Sequence, residues 1–138
     1  LWMLADDVLI YHGSDKSTAY VCEDPTKFTS HSDSATNVPD GYEAITDLPR
    51  AEGYVLQFAH SSKGAYSFPE TVGGAANAGG CDYYWTPVAG AGWSAVGWYG
   101  ALLSATANSG ANAGFGYLYT HNRSSYSYAH VGFRLCRF

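Results

Sequence analysis

Glycine and proline decide first what this chain can become. Sixteen glycines and five prolines are spread over its 138 residues. Pro39, Pro49, Pro69 and Pro87, together with the glycine pairs, interrupt every stretch long enough for an extended helix. What survives between them reads as strand. In residues 54–59, alternation puts Tyr54, Leu56 and Phe58 on one face. In residues 115–120 it groups Phe115, Tyr117 and Tyr119. In residues 131–138 it places Val131, Phe133 and Leu135 opposite Gly132, Cys136 and Phe138, the pattern of a strand covered on both sides. Residues 1–10 are apolar except for Asp6 and Asp7, and their pattern suits helix and strand equally. Residues 73–80, 89–92, 104–113 and 121–127 carry the turn formers that make loops. No fixed-period repeat is present. The class expected is α+β: one loop-rich domain over residues 1–138, mostly antiparallel strands with few short helices.

Composition divides the chain in two. All twelve carboxylates lie at or before Asp82. From Tyr83 to Phe138 there is no Asp, Glu, Lys, Gln, Met or Ile, and Arg123, Arg134 and Arg137 are the only formal charges. The Gly, Ala, Ser, Asn, Tyr and Trp that fill this half are the residues of a binding surface: rigid aromatic area with adaptable hydrogen bonding. They equally suit a β-structure whose aromatics fill its core, and composition leaves both readings open. A net charge of −5 argues against a nucleic-acid partner, since phosphate contacts need a basic surface. No apolar run approaches the ~20 residues of a membrane-spanning helix, so membrane insertion is not expected. The first ten residues carry two Asp and follow no Lys or Arg, unlike a signal peptide. A first residue other than methionine fits a piece of something longer. Cys22, Cys81 and Cys136 permit at most one internal disulfide and form no zinc-binding pair.

Catalytic patterns are missing. Gly92-Trp93-Ser94-Ala95-Val96 has valine where a nucleophile elbow needs its second glycine. The glycine clusters at 73–80 and 110–116 match neither the dinucleotide fingerprint nor the phosphate-binding loop. His12, His31, His60, His121 and His130 include no helical pair spaced for a metal. The second half, without a carboxylate, can supply neither an acid–base pair nor calcium ligands. The expectation is recognition without catalysis, with no cofactor and no metal.

The closing run Val131-Gly132-Phe133-Arg134-Leu135-Cys136-Arg137 resembles the final strand of C-type-lectin-like domains of the formylglycine-generating-enzyme type. That superfamily includes the variable proteins of diversity-generating retroelements. Upstream, Gly53-Tyr54-Val55, Phe68-Pro69, Gly73-Gly74, Cys81-Asp82-Tyr83-Tyr84, Gly92-Trp93, Ala113-Gly114-Phe115 and Ser124-Ser125 follow in an order similar to variable proteins of gut Bacteroidales and their phages. The resemblance spans about residues 41–138. The reactive cysteine of a formylglycine-generating enzyme would adjoin the final Gly-Phe-Arg; here Leu135 intervenes before Cys136. A calcium-dependent lectin would show acidic ligands in this half, and there are none.

The resemblance implies a C-type-lectin-like scaffold and a mechanism of variation. An error-prone reverse transcriptase mutates adenines of a template copy, which then replaces the 3′ end of the gene, here residues 83–138. The fixed scaffold would include Cys81, Asp82, Gly92, Trp93, Gly114, Phe115, Ser124, Ser125, Gly132, Phe133, Arg134 and Leu135. The varied contact residues would be Ser94, Trp98, Tyr99, Tyr117, Tyr119, His121, Asn122, Arg123, Tyr126, Tyr128 and His130. Core packing remains the alternative for each aromatic among them. The function implied is a hypervariable receptor-binding domain on a phage tail or bacterial surface, whose ligand is a protein or glycan of a host or neighbouring cell. A structural tail-fibre or assembly module, its tyrosines packed between copies in a homo-oligomer, is the alternative.

Overall fold

In the computed structural model, which describes residues 2–60, 66–74, 83–88, 96–103, 118–120 and 131–135, the opening apolar segment is a strand, β1 (Trp2–His12). A turn closed by Gly13 N donating to Lys16 O at 2.9 Å leads into β2 (Ser17–Cys22). The remaining strands are β3 (Tyr42–Leu48), β4 (Gly53–His60), β5 (Ser67–Gly73), β6 (Tyr83–Trp85), β7 (Gly97–Leu103), β8 (Leu118–Tyr119) and β9 (Val131–Leu135). All join one sheet in the order β3-β2-β1-β7-β8-β6-β4-β5, with β9 also pairing β1. β2 takes residues Val8–His12 of β1, and β9 lies parallel to its opening residues Trp2–Ala5. A second parallel pair joins β6 to β8.

This overturns the expected α+β, C-type-lectin-like fold with few short helices. The sheet is mixed and curls into a half-barrel, and the only helical piece among the described residues is a three-residue 3-10 turn at Pro25–Lys27. That turn starts as helices do, with Asp24 Oδ1 accepting from Thr26 N at 3.0 Å and proline in the first position. It stops because Thr29, Ser30 and Ser32 follow, whose short polar side chains compete for the backbone. Of residues 1–10, undecided by pattern, the described ones, 2–10, are strand because β7 pairs with β1 on one side and β9 and β2 in turn on the other.

Bulges produce the curl. Pairing shifts register between Ala5 and Leu9 in β1, at Ala19–Tyr20 in β2, and on both sides of Gln57 in β4. Each bulge adds bend and twist, and β3 and β5, at opposite ends of the path, come into contact. The concave face carries the core, including Ile10, Val21, Leu48, Val55, Phe68, Tyr84, Tyr99 and Leu118. The β4 bulge also divides the face predicted for Tyr54, Leu56 and Phe58. Phe58 packs inward with fully buried Val55, whereas Leu56 is 51% exposed.

A second cluster sits on the convex face, where residues 23–41 cross β2, β1 and β7. It comprises Leu9, Cys22, Tyr42 and Trp98, with Tyr11, Tyr20, Phe28 and Ala35 packed against it. Trp98 anchors the crossing strap: its backbone N–H donates to Asp33 O and its Nε1 to Ala35 O, both at 3.1 Å.

Candidate functional site

Of the eleven contact residues the resemblance implies, Ser94, Tyr117, His121, Asn122, Arg123, Tyr126, Tyr128 and His130 lie outside the described residues. The other three fall in three different settings. Trp98 is 1% exposed beneath the strap, with Tyr11 and Tyr20 ring centroids at 5.0 Å and His31 edge-on at 5.2 Å. Tyr99, its neighbour in β7, points the opposite way into the core at 2% exposure and meets the His12 ring edge at 4.8 Å. Side chains this enclosed fill the packing role that the sequence leaves open for them. Tyr119 is half-buried on the convex face of β8.

Tyr119 completes a row assembled by pairing between strands distant in sequence. On β4, β6 and β8 the alternation is consistent: Val55, Tyr84 and Leu118 go inward, while Tyr54, Tyr83, Trp85 and Tyr119 stay half-buried on the outer side. Pairing then aligns the outer set. Tyr54 lies opposite Tyr83, and Trp85 beside Tyr119. Centroids are 4.9 Å apart for Tyr54–Tyr83, 4.9 Å for Tyr83–Trp85 and 6.4 Å for Trp85–Tyr119. Exposed Leu56 continues the face along β4. At the far end, Glu52 Oε1 accepts from Thr86 N at 3.3 Å. Burial, then the nearby Glu52 carboxylate, raises the Tyr83 hydroxyl above the usual tyrosine range. The local signal for these residues is the Tyr83-Tyr84-Trp85 alternation; the assembly depends on a parallel β6–β8 pairing that no local pattern announces.

Two serine–histidine pairs deserve a chemical test. His12 Nδ1 lies 2.7 Å from Ser17 Oγ, the spacing of a nucleophile and its base. Both residues have no solvent exposure, and Nε2 donates to the Thr120 carbonyl at 3.1 Å in place of a carboxylate. Sealed from solvent, the pair ties β1 to β2 and to the residue after β8. His60 and Ser67, also 2.7 Å apart, are exposed cross-strand partners in β4 and β5. Among the described residues no three His, Cys, Asp or Glu side chains gather as metal ligands. A cleft lined by Ala5, Asp6, Val8, Leu9, Thr29, Ser30 and Gly100 holds about 10 Å³, room for roughly one water. No described helix is long and apolar enough to cross a membrane.

The chain matches no protein-family model, no curated protein and no solved structure.

Proposed function

We propose that this chain is a noncovalent ligand-binding module whose contact surface includes the outer aromatic row Tyr54, Tyr83, Trp85 and Tyr119. The row itself carries the reading: four half-buried rings share one side of three adjacent strands, with the core sealed on the other. Aromatic side chains held by strands give large contact area at low entropic cost. The carboxylate-free segment from Tyr83 onward supplies three of the four rings, and its composition is rich in Tyr, Ser, Gly and Asn. The resemblance of the ordered fragments to retroelement variable proteins extends the proposal: the 83–138 segment is diversified, and the domain is displayed on a phage tail or bacterial surface toward a protein or glycan of another cell.

Retention of the purified domain on a panel of gut Bacteroidales cells tests this. Trp85→Ala and Tyr119→Ala proteins that keep their fold should lose retention, each by about 1–3 kcal/mol if an interface anchor. Equal retention of folded variants and wild type contradicts the assignment of the row. Exposed Leu56 beside Tyr54 also suits packing between copies, as an assembly module would require. A monomer in light scattering removes that second reading.

A further inference from the structure

We propose that the Asp40–Gly41 bond is a site of spontaneous covalent modification, isomerising through a succinimide to an isoaspartyl link that loosens the strap over Trp98. It is the one place in the 138 residues where Asp or Asn precedes glycine. Glycine matters there because it has no side chain to hinder its nitrogen as that nitrogen closes on the neighbouring carboxyl carbon. Both residues are exposed, the Asp40 side chain at 86%, between buried Pro39 and Tyr42. The turn is closed by Tyr42 N donating to Pro39 O at 3.2 Å, a bond that leaves the Gly41 nitrogen out of it. In the reaction the Gly41 nitrogen bonds to Asp40 Cγ, and the carboxyl OH leaves with the amide proton as water. A solvent water then adds to the main-chain carbonyl of Asp40 and breaks its bond to the Gly41 nitrogen. Asp40 stays joined to Gly41 through Cγ, with the mass restored and the main chain one methylene longer.

The fold sets both a brake and a consequence. Lys27 Nζ holds Asp40 Oδ2 at 3.0 Å, which favours the ionised carboxylate. Ring closure needs the protonated carboxyl swung toward Gly41 N, so the pair slows it, with the modest strength of an exposed ion pair. The consequence follows from where the bond lies. It joins the strap to β3, and Gly41, at φ +85°, packs where a Cβ would crowd Lys27 Cδ and Cys22 Sγ. An extra methylene in the main chain breaks this turn. The next residue, Tyr42, donates its hydroxyl to Asp6 O at 2.6 Å and accepts from Thr29 N at 3.3 Å. It thus holds the strap at one end, as Trp98 holds it from beneath.

The test is prolonged warm incubation of the full chain at neutral pH. Isoaspartate is read by methyl transfer from S-adenosylmethionine with protein isoaspartyl methyltransferase, and is placed by electron-transfer mass spectrometry of the peptide map. Isoaspartate is expected at residue 40 ahead of every other Asp, preceded by a species lighter by one water. It should accumulate about 2–5-fold faster in Lys27→Gln. Asp40→Glu keeps a carboxylate for Lys27 but must close a larger ring, and should lose the signal. Hydrogen exchange across residues 29–40 should rise in the isomerised fraction alone. An Asp40 that stays unmodified while the free peptide of residues 36–44 isomerises overturns the site. Equal rates in wild type and Lys27→Gln overturn the brake, and unchanged exchange in the isomerised fraction overturns the link to the strap.

Discussion

At the residue scale, His12 sits at the end of β1 with both ring nitrogens engaged, one by Ser17 on β2 and one by the Thr120 carbonyl just past β8. Arg50 Nη1 donates to the same Ser17 Oγ at 3.4 Å, extending the network toward β4. Removing the imidazole strands buried polar partners, so His12→Ala should lower unfolding free energy by about 2–3 kcal/mol in urea titrations. A loss near zero would mean the network contributes nothing. Buried tyrosines give a pH prediction. Burial, the largest cause for both, pushes the Tyr42 and Tyr84 hydroxyls up to about 12. A pKa raised on folding stabilises the folded state below the unfolded value near ~10 and loses that contribution as pH rises through the folded value. Stability should therefore fall between about pH 10 and 12, with these two ionising late in ultraviolet titration. Early ionisation of all twelve tyrosines in the folded protein would contradict it. Gly41 is the clearest backbone constraint. It has φ of +85°, and an added Cβ would come within 2.7 Å of Lys27 Cδ and 3.1 Å of Cys22 Sγ. Gly41→Ala should cost about 1–2 kcal/mol from the left-handed backbone alone, read as a lowered melting temperature.

At the scale of elements, alternation located strands without fixing their extent: of residues 115–120, Leu118–Tyr119 is strand and Thr120 is not, while 115–117 and 136–138 lie outside the described residues. Residues 54–59 and 131–135 are strand as their patterns predict. Faces were legible only as far as the first bulge. Tyr54 and Leu56 share the outer side, and the β4 bulge then turns Phe58 inward. A bulge inserts one residue to suit the curvature of a whole sheet, so its position has no signature in a short window. The strap over residues 23–41 has no local signature, because Ser, Thr, Asp and Asn favour turns without saying what the turns will cover. It is fixed by the partner it covers: Trp98 supplies both hydrogen bonds and a ring against His31. Trp98→Ala should cost roughly 3–5 kcal/mol and raise hydrogen exchange across residues 29–40. Unchanged exchange there would show that the strap is held by something other than Trp98.

At the scale of the molecule, local signals recovered a β-rich chain and missed its architecture. The half-barrel comes from pairings distant in sequence, β1 with β7 and β9, β6 with β8. These are settled by which apolar faces seal one another and not by any single segment. The aromatic row shares that origin. Tyr54 and Tyr119 meet the same β6 strand although 65 positions separate them by number, so composition could suggest a binding surface without locating it. The structure in turn sorts the aromatics: Tyr84, Trp98 and Tyr99 belong to packing, and Tyr119 to the outer face.

Deep sequencing of the 3′ end of this gene in its natural population tests the central claim of a diversified binding surface most directly. The account predicts substitutions concentrated at codons such as those of Tyr117, Tyr119, His121, Asn122, Tyr126 and Tyr128, at adenines of a nearby template copy, with Tyr84, Trp98, Tyr99 and Leu118 held constant by the core. Sparse variation scattered evenly along the chain, or variation reaching equally into those buried positions, would contradict it.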